Sequence, residues 1–154
     1  VLWTLTFAAL LGSGLMAGLF FVFSVTIMTA LGRLPAPAGI AAMQSINATI
    51  LNPLFLGAFL GTAVLCPILA VTGLLWPEPG APWLITGAAS YLAGVIAVTM
   101  ICNVPMNNAL AAEAPDSADA HALWQRYLSV WTRWNHLRTA ASILAMACFA
   151  LAMR

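Results

Sequence analysis

Lysine is missing altogether, and charge of either sign is scarce: five Arg and four Asp or Glu stand among 154 residues, of which 6% are charged and 63% hydrophobic. A soluble domain carries about 25% charged residues, so this composition excludes an ordinary water-soluble fold and indicates an integral membrane protein. The formal net charge of +1, with no basic run, argues against nucleic acid as a partner and against an electrostatic membrane anchor. The acids are confined to Glu78 and to the stretch Glu113–Asp119. No apolar segment therefore holds a carboxylate for proton or ion coupling, which disfavours a transporter. The three cysteines, Cys66, Cys102 and Cys148, lie singly in apolar surroundings without metal-ligand spacing and read as small buried hydrophobes. The two histidines, His121 and His136, are about 22 Å apart along a helix and cannot share an ion, so no metal is expected.

What remains is apolar sequence with punctuation. Val1 to Gly32 has no charged side chain and no basic leader, and it is far longer than the ~7–15 apolar residues of a signal peptide, so it reads as a retained span. Arg33 to Gly39, with Pro35 and Pro37, reads as a connection, and Ile40 to Leu51 as a short interfacial helix. Asn52-Pro53 fits an N-cap with proline in the first turn, the alternative being one kinked helix. Pro53 to Trp76 is a second span with a kink expected at Pro67. Trp76 to Trp83 is a tight turn with an indole at each end, suited to a membrane–water interface. Trp83 to Cys102 is a third span, and Pro105 either ends it or frees the Ile101 carbonyl. A long last helix begins near Asp116, taken as its N-cap with Asp119 three residues on, and reaches Met153. The stripe Ala120, Trp124, Tyr127, Trp131, Trp134, Arg138 marks its buried face. The stretch Thr139 to Met153 is short for a span of about 20 residues, which pulls Arg138 to the membrane edge or inside it.

The expected fold is all-α: a single domain over 1–154, an up-down bundle of four transmembrane helices at roughly 3–31, 53–76, 83–104 and 134–153, with a helical extension over 117–133 standing outside the membrane. Gly14/Gly18 and Gly57/Gly61 are spaced for close helix approach, either within the chain or in a homo-oligomer. Tracing this topology gathers Asn47, Asn52, Asn103, Asn107, Asn135, His136 and Arg138 at one end. Four of the five arginines share that end, which places it in the cytoplasm with both termini outside. Asn135, Arg138 and Ser142 share one helix face. His136 is rotated by about 100° and either lines a neighbouring wall or faces headgroups. Arg138, with no carboxylate in reach, keeps a charge for an anionic ligand. The same polar mouth also suits a non-enzymatic protein: a lipid or quinone binder, or a subunit of a larger membrane complex.

Five stretches taken together, Gly18-Leu19-Phe20-Phe21-Val22-Phe23-Ser24, Met43-Gln44-Ser45-Ile46-Asn47, Asn52-Pro53, Asn103-Val104-Pro105-Met106-Asn107-Asn108-Ala109-Leu110 and Trp131 to Thr139, resemble the DUF1772 family of small membrane proteins, described as anthrone oxygenase-like. The resemblance implies an O₂-dependent oxidation of an apolar polycyclic phenol or ketone to a quinone, with no flavin or metal and O₂ as co-substrate. On that footing Phe20, Phe23, Trp131 and Trp134 would form an apolar slot and His136 would be the base. Arg138 with Asn103, Asn107 and Asn135 would hold the oxyanion, and Asn47 and Asn52 would contact the substrate.

Overall fold

The computed structural model describes residues 1–154 and is all-helical. Five helices follow one another: α1 (Leu2–Gly32), α2 (Ala36–Thr49), α3 (Pro53–Leu75), α4 (Ala81–Ala111) and α5 (residues 118–152). Three of them, α1, α3 and α4, are long and apolar enough to cross a membrane. Their outer faces present Leu11, Leu15, Phe21, Leu60, Val64, Ile68, Val71 and Ile101 to the surroundings, a coat that water would not tolerate and lipid would. The sequence-derived span over 134–153 is the C-terminal half of α5, which falls outside that set of three because its inward face is polar: Asn135, Arg138, Thr139 and Ser142 are all buried.

Local chemistry sets the helix ends. Asn52 is extended (φ −96°, ψ 162°) and its Oδ1 accepts from the N–H groups of Leu54 (3.1 Å) and Phe55 (3.0 Å), so α3 is a separate capped helix rather than the continuation of a kinked one. Two boundaries differ from the sequence reading. Helix α2 begins at Ala36, because Pro35 supplies an extended entry and Pro37 fits the first turn, where its missing N–H costs nothing. Helix α5 is capped by Ser117, whose Oγ accepts from the Ala120 N–H at 3.0 Å, and Asp116 lies one residue outside. Pro105 does not end α4; a π turn over Thr99–Asn103 precedes it and the helix runs on to Ala111.

Helix α5 packs between α1 and α4, and α3 packs against the same two from the other side. Their shared core contains Met16, Phe20, Phe59, Leu69, Tyr91, Val95, Ala145 and Phe149. A second core joins α2 to the ends of α1 and α4 and to the first half of α5 through Met28, Ile40, Met43, Leu110, Trp124 and Tyr127. The first half of α5 is thus clamped by α2 and does not stand alone as a projecting rod. Gly39 makes that clamp possible: a Cβ there would lie 2.8 Å from the Leu31 carbonyl oxygen and 3.0 Å from the Trp124 ring. Gly39→Ala should therefore destabilise the protein by about 1–3 kcal/mol, measured by thermal unfolding in micelles. It should weaken ligand binding in parallel, since α2 carries Gln44 and Asn47 of the cavity described next.

Wide π turns interrupt α1 at Phe23–Ile27, α4 at Leu92–Ala97 and Thr99–Asn103, and α5 at Tyr127–Trp131. Each inserts about one extra residue into the helical repeat and so rotates everything after it. Three of the four turns carry side chains of one cavity: Phe23, Thr99 and Trp131.

Candidate functional site

A cavity of about 280 Å³ opens among all five helices, close to the lower size of small-molecule sites. Its apolar walls are Leu19, Phe20 and Phe23 of α1, Ile46 of α2 and Ile50 just after it, Phe55 of α3, Val104 of α4 and Trp131 of α5. Five polar side chains join them: Gln44 and Asn47 from α2, Thr99 and Asn107 from α4, and Arg138 from α5. Exposed Ala48, Leu51, Asn108 and Ala111 rim the mouth between α2 and the end of α4, while the buried rings of Phe20, Phe23 and Trp131 close the depth.

Arg138 is the only charged residue among those lining the cavity, and it is 6% exposed. Its guanidinium lies 4.3 Å from the centre of the Phe20 ring and 5.1 Å from that of Trp131, in cation–π contact with both. Nη1 donates to Thr99 Oγ1 (3.2 Å) and Nη2 to Asn135 Oδ1 (2.7 Å). Nε–H is buried with no partner. A guanidinium has five N–H donors, so this one retains donors and a full charge that no protein carboxylate offsets. A buried charge left this way is costly unless a ligand completes it.

Asn135 holds the guanidinium in place. Its Nδ2 donates to the Phe20 carbonyl (2.8 Å) and to Ser24 Oγ (2.8 Å). A backbone carbonyl only accepts, so the amide nitrogen must face α1 and the amide oxygen must face Arg138. Thr139 Oγ1 donates to the Asn135 carbonyl (2.9 Å) and lies 3.2 Å from Ser24 Oγ, extending the link between α1 and α5.

A second chain of side chains runs along the wall. Trp131 Nε1 donates to Asn107 Oδ1 (2.8 Å), Tyr127 Oη donates to the same oxygen (2.7 Å), and Asn47 Nδ2 donates to Tyr127 Oη (3.3 Å). Gln44 uses its amide nitrogen on the carbonyls of Leu110 (2.7 Å) and Glu113 (3.0 Å), tying α2 to the end of α4. Burial pushes the Tyr127 phenol well above its ordinary range, against the opposing effects of the Asn47 hydrogen bond and the Arg138 charge, so it stays a neutral donor at physiological pH.

The residues expected from sequence divide into three groups. Phe20, Phe23, Asn47, Asn107, Trp131 and Arg138 meet at the cavity. Asn135 and Asn103 stand behind it, the latter donating to the Trp131 carbonyl at 3.3 Å. Asn52, Trp134 and His136 are not brought there. Asn52 is consumed as the cap of α3. Trp134 is 38% exposed because the π turn at Tyr127–Trp131 delays the inward face by one residue. Two turns on from Tyr127 the buried position is therefore Asn135. His136, the next residue, is exposed and outside the lining. His136→Ala should leave the affinity for an aromatic anion within about twofold of wild type, as surface changes shift free energies by about 0.5 kcal/mol or less; titration of both proteins checks this. Sequence reasoning missed Thr99, which nothing in an apolar span singled out. It also missed the cavity role of Gln44, although its place in an otherwise apolar helix was a signal, and the role of Tyr127, visible only as one of a buried stripe.

The family model described as anthrone oxygenase matches residues 54–148. Thr99, Asn107, Trp131, Asn135 and Arg138 fall inside the matched segment, whereas Phe20, Phe23, Gln44 and Asn47 come from helices before it. Neither a curated protein nor a solved structure matches the chain. With more than half of its length matched, including Arg138 and Asn107 of the cavity, the chain belongs to the anthrone oxygenase family, DUF1772.

Proposed function

We propose that this protein is a membrane-embedded oxygenase that converts an apolar polycyclic phenol or ketone into a quinone using O₂ and no resident cofactor. The observation that supports it most is the unpaired Arg138 guanidinium lodged between aromatic rings in a cavity of ligand size. A flat ketone with an acidic methylene loses a proton more readily when its enolate oxygen sits against a fixed cation in a dry site. No side chain lining the cavity is a base near neutral pH, so the proton leaves through the mouth to water, and the substrate's acidity is raised by Arg138 instead. The enolate transfers one electron to O₂, and the two radicals combine to a hydroperoxide at the former methylene carbon. Loss of water then leaves the carbonyl. The balance is one CH₂ and one O₂ consumed, one C=O and one H₂O formed. The electron-rich enolate is the reductant, so the chemistry asks the protein for binding and electrostatics.

In this reading the whole chain is one domain, with the second half of α5 as a fourth span completing an up-down bundle and the first half lying with α2 at the membrane surface. The end bearing Arg33, Arg126, Arg133 and Arg138 is cytoplasmic and both termini are outside. The bilayer is the immediate partner. Gly57 and Gly61 lie exposed with open space above them, which suits close approach of a second copy.

The test is O₂ uptake by purified, metal-free protein in nanodiscs with an anthrone. The expected result is uptake above autoxidation, matched one for one by quinone. Tight binding without O₂ uptake would instead make the protein a binder of aromatic anions.

A further inference from the structure

The indole N–H of Trp131 is a donor and nothing else. Because it points at Asn107 (2.8 Å), the atom it meets must be the amide oxygen. Tyr127 donates its hydroxyl hydrogen to that same oxygen, so its own oxygen is left to accept, and the Asn47 atom facing it must be the amide nitrogen. One donor at the head of the chain thus orients three residues on three helices. Two groups are left over and both belong to cavity-lining residues: the NH₂ of Asn107 and the carbonyl oxygen of Asn47. Gln44, its nitrogen spent on two backbone carbonyls, adds its own amide oxygen on the α2 side. The cavity lining therefore carries free donors on α4 and α5 (Asn107 and Arg138) and free acceptors on α2 (Asn47 and Gln44).

Resting on the reading that this cavity binds an aromatic oxyanion, we infer that Trp131 is a positioning residue that sets this polarity. The cavity thereby selects a planar aromatic carrying an acceptor or anionic oxygen at one end and a hydroxyl donor at the other. A ligand with ether or carbonyl oxygens at both ends meets the α2 acceptors unpaired. The neutral Tyr127 phenol passes this polarity on from Asn107 to Asn47, since it holds the one hydrogen it donates across the physiological range.

The full-length protein in nanodiscs is titrated with 2,6-dihydroxynaphthalene, 6-methoxy-2-naphthol and 2,6-dimethoxynaphthalene. Losing the first hydroxyl removes the donor to α2, and losing the second removes the oxygen that can become an anion at Arg138. Wild type should lose about tenfold in affinity at each step, the size of one hydrogen bond to a charged or buried partner. Trp131→Phe keeps a ring but frees the chain to invert, and the first step should shrink to within about twofold. Asn107→Asp still accepts from Trp131 and Tyr127, so the fold and the first step persist, but a carboxylate now pairs with Arg138 and the second step should vanish. Asn107→Asp carries the test alone if Trp131→Phe does not fold. Equal weakening of all three ligands in both variants would mean a structural role only and overturns the inference. Variants that discriminate like wild type overturn it too, while leaving the oxyanion site standing. Equal affinity of wild type for all three ligands overturns both. Binding in the expected order without O₂ uptake supports the inference and defeats only the oxygenase reading.

Discussion

Arg138→Met should abolish recognition of an aromatic anion and cut turnover by a factor on the order of 10²–10³, the effect of removing a principal oxyanion donor, while leaving thermal stability unchanged or raised. The two halves of this expectation have one cause. The guanidinium is buried, makes two hydrogen bonds and two ring contacts, and its Nε–H has no protein partner. Replacing buried ionic groups by apolar residues of similar volume is often neutral or stabilising by about 1–4 kcal/mol. Methionine fills the space between Phe20 and Trp131 without a charge to solvate. Only a ligand bearing an anionic oxygen makes the arginine favourable, so its cost is borne in the free state and recovered on binding. Unfolding in micelles and titration with a naphtholate, run on both proteins, check the two halves. A marked drop in stability with unchanged anion affinity would mean that Arg138 is a structural brace and that the cavity is not an oxyanion site.

Asn135→Leu should destabilise the protein by about 2–4 kcal/mol and weaken anion binding as well. The amide is fully buried and makes three bonds, to the Phe20 carbonyl, Ser24 Oγ and Arg138 Nη2. Leucine deletes all three, leaving the Phe20 carbonyl only its bond from the Phe23 N–H and the buried Arg138 Nη2 without its partner, a loss of about 1–3 kcal/mol or more for the charged donor. Because Asn135 also aims the guanidinium, the loss of affinity should exceed what partial unfolding explains. The double variant Asn135→Leu with Arg138→Met should recover much of the stability, since the orphaned charge is gone; a double-mutant cycle measures this coupling. Additive losses would show that the two residues act independently.

Much of this was legible before any coordinates. Scarcity of charge over long apolar runs reports a lipid environment directly, because transfer cost depends on composition and not on arrangement. The Asn52-Pro53 cap was legible because capping is local: it involves atoms two or three residues apart. Gathering of Asn47, Asn107 and Arg138 at one end followed from span lengths and short connections alone. Periodicity was less reliable. A strict 3.6-residue repeat put Trp134 on the buried stripe and left His136 open to either role, and both proved exposed.

The reason is the set of π turns. One inserted residue at Tyr127–Trp131 takes Trp134 off the inward face and keeps Asn135 and Arg138 on it, so the site keeps the rings of Phe20, Phe23 and Trp131 and its hydrogen-bonded cation but has neither the fourth ring nor the histidine base. Nothing local in Tyr127 to Trp131 announces that turn; it goes with tertiary contacts, in which the Tyr127 and Trp131 rings stack, Phe23 meets Trp131 at a tilt of 53° and Asn103 of α4 donates to the Trp131 carbonyl. The orientation of Asn47, Asn107 and Asn135 likewise came only from partners 20 to 115 residues away. Sequence by itself thus determined the solvent, the helices and which end of the protein would be polar, since these depend on composition and on neighbours along the chain. Tertiary structure decided which of those polar groups meet, which atom of each amide is bonded and which is left free, and that the arginine is held between two rings, since these depend on contacts between helices that the chain brings together only once it is folded.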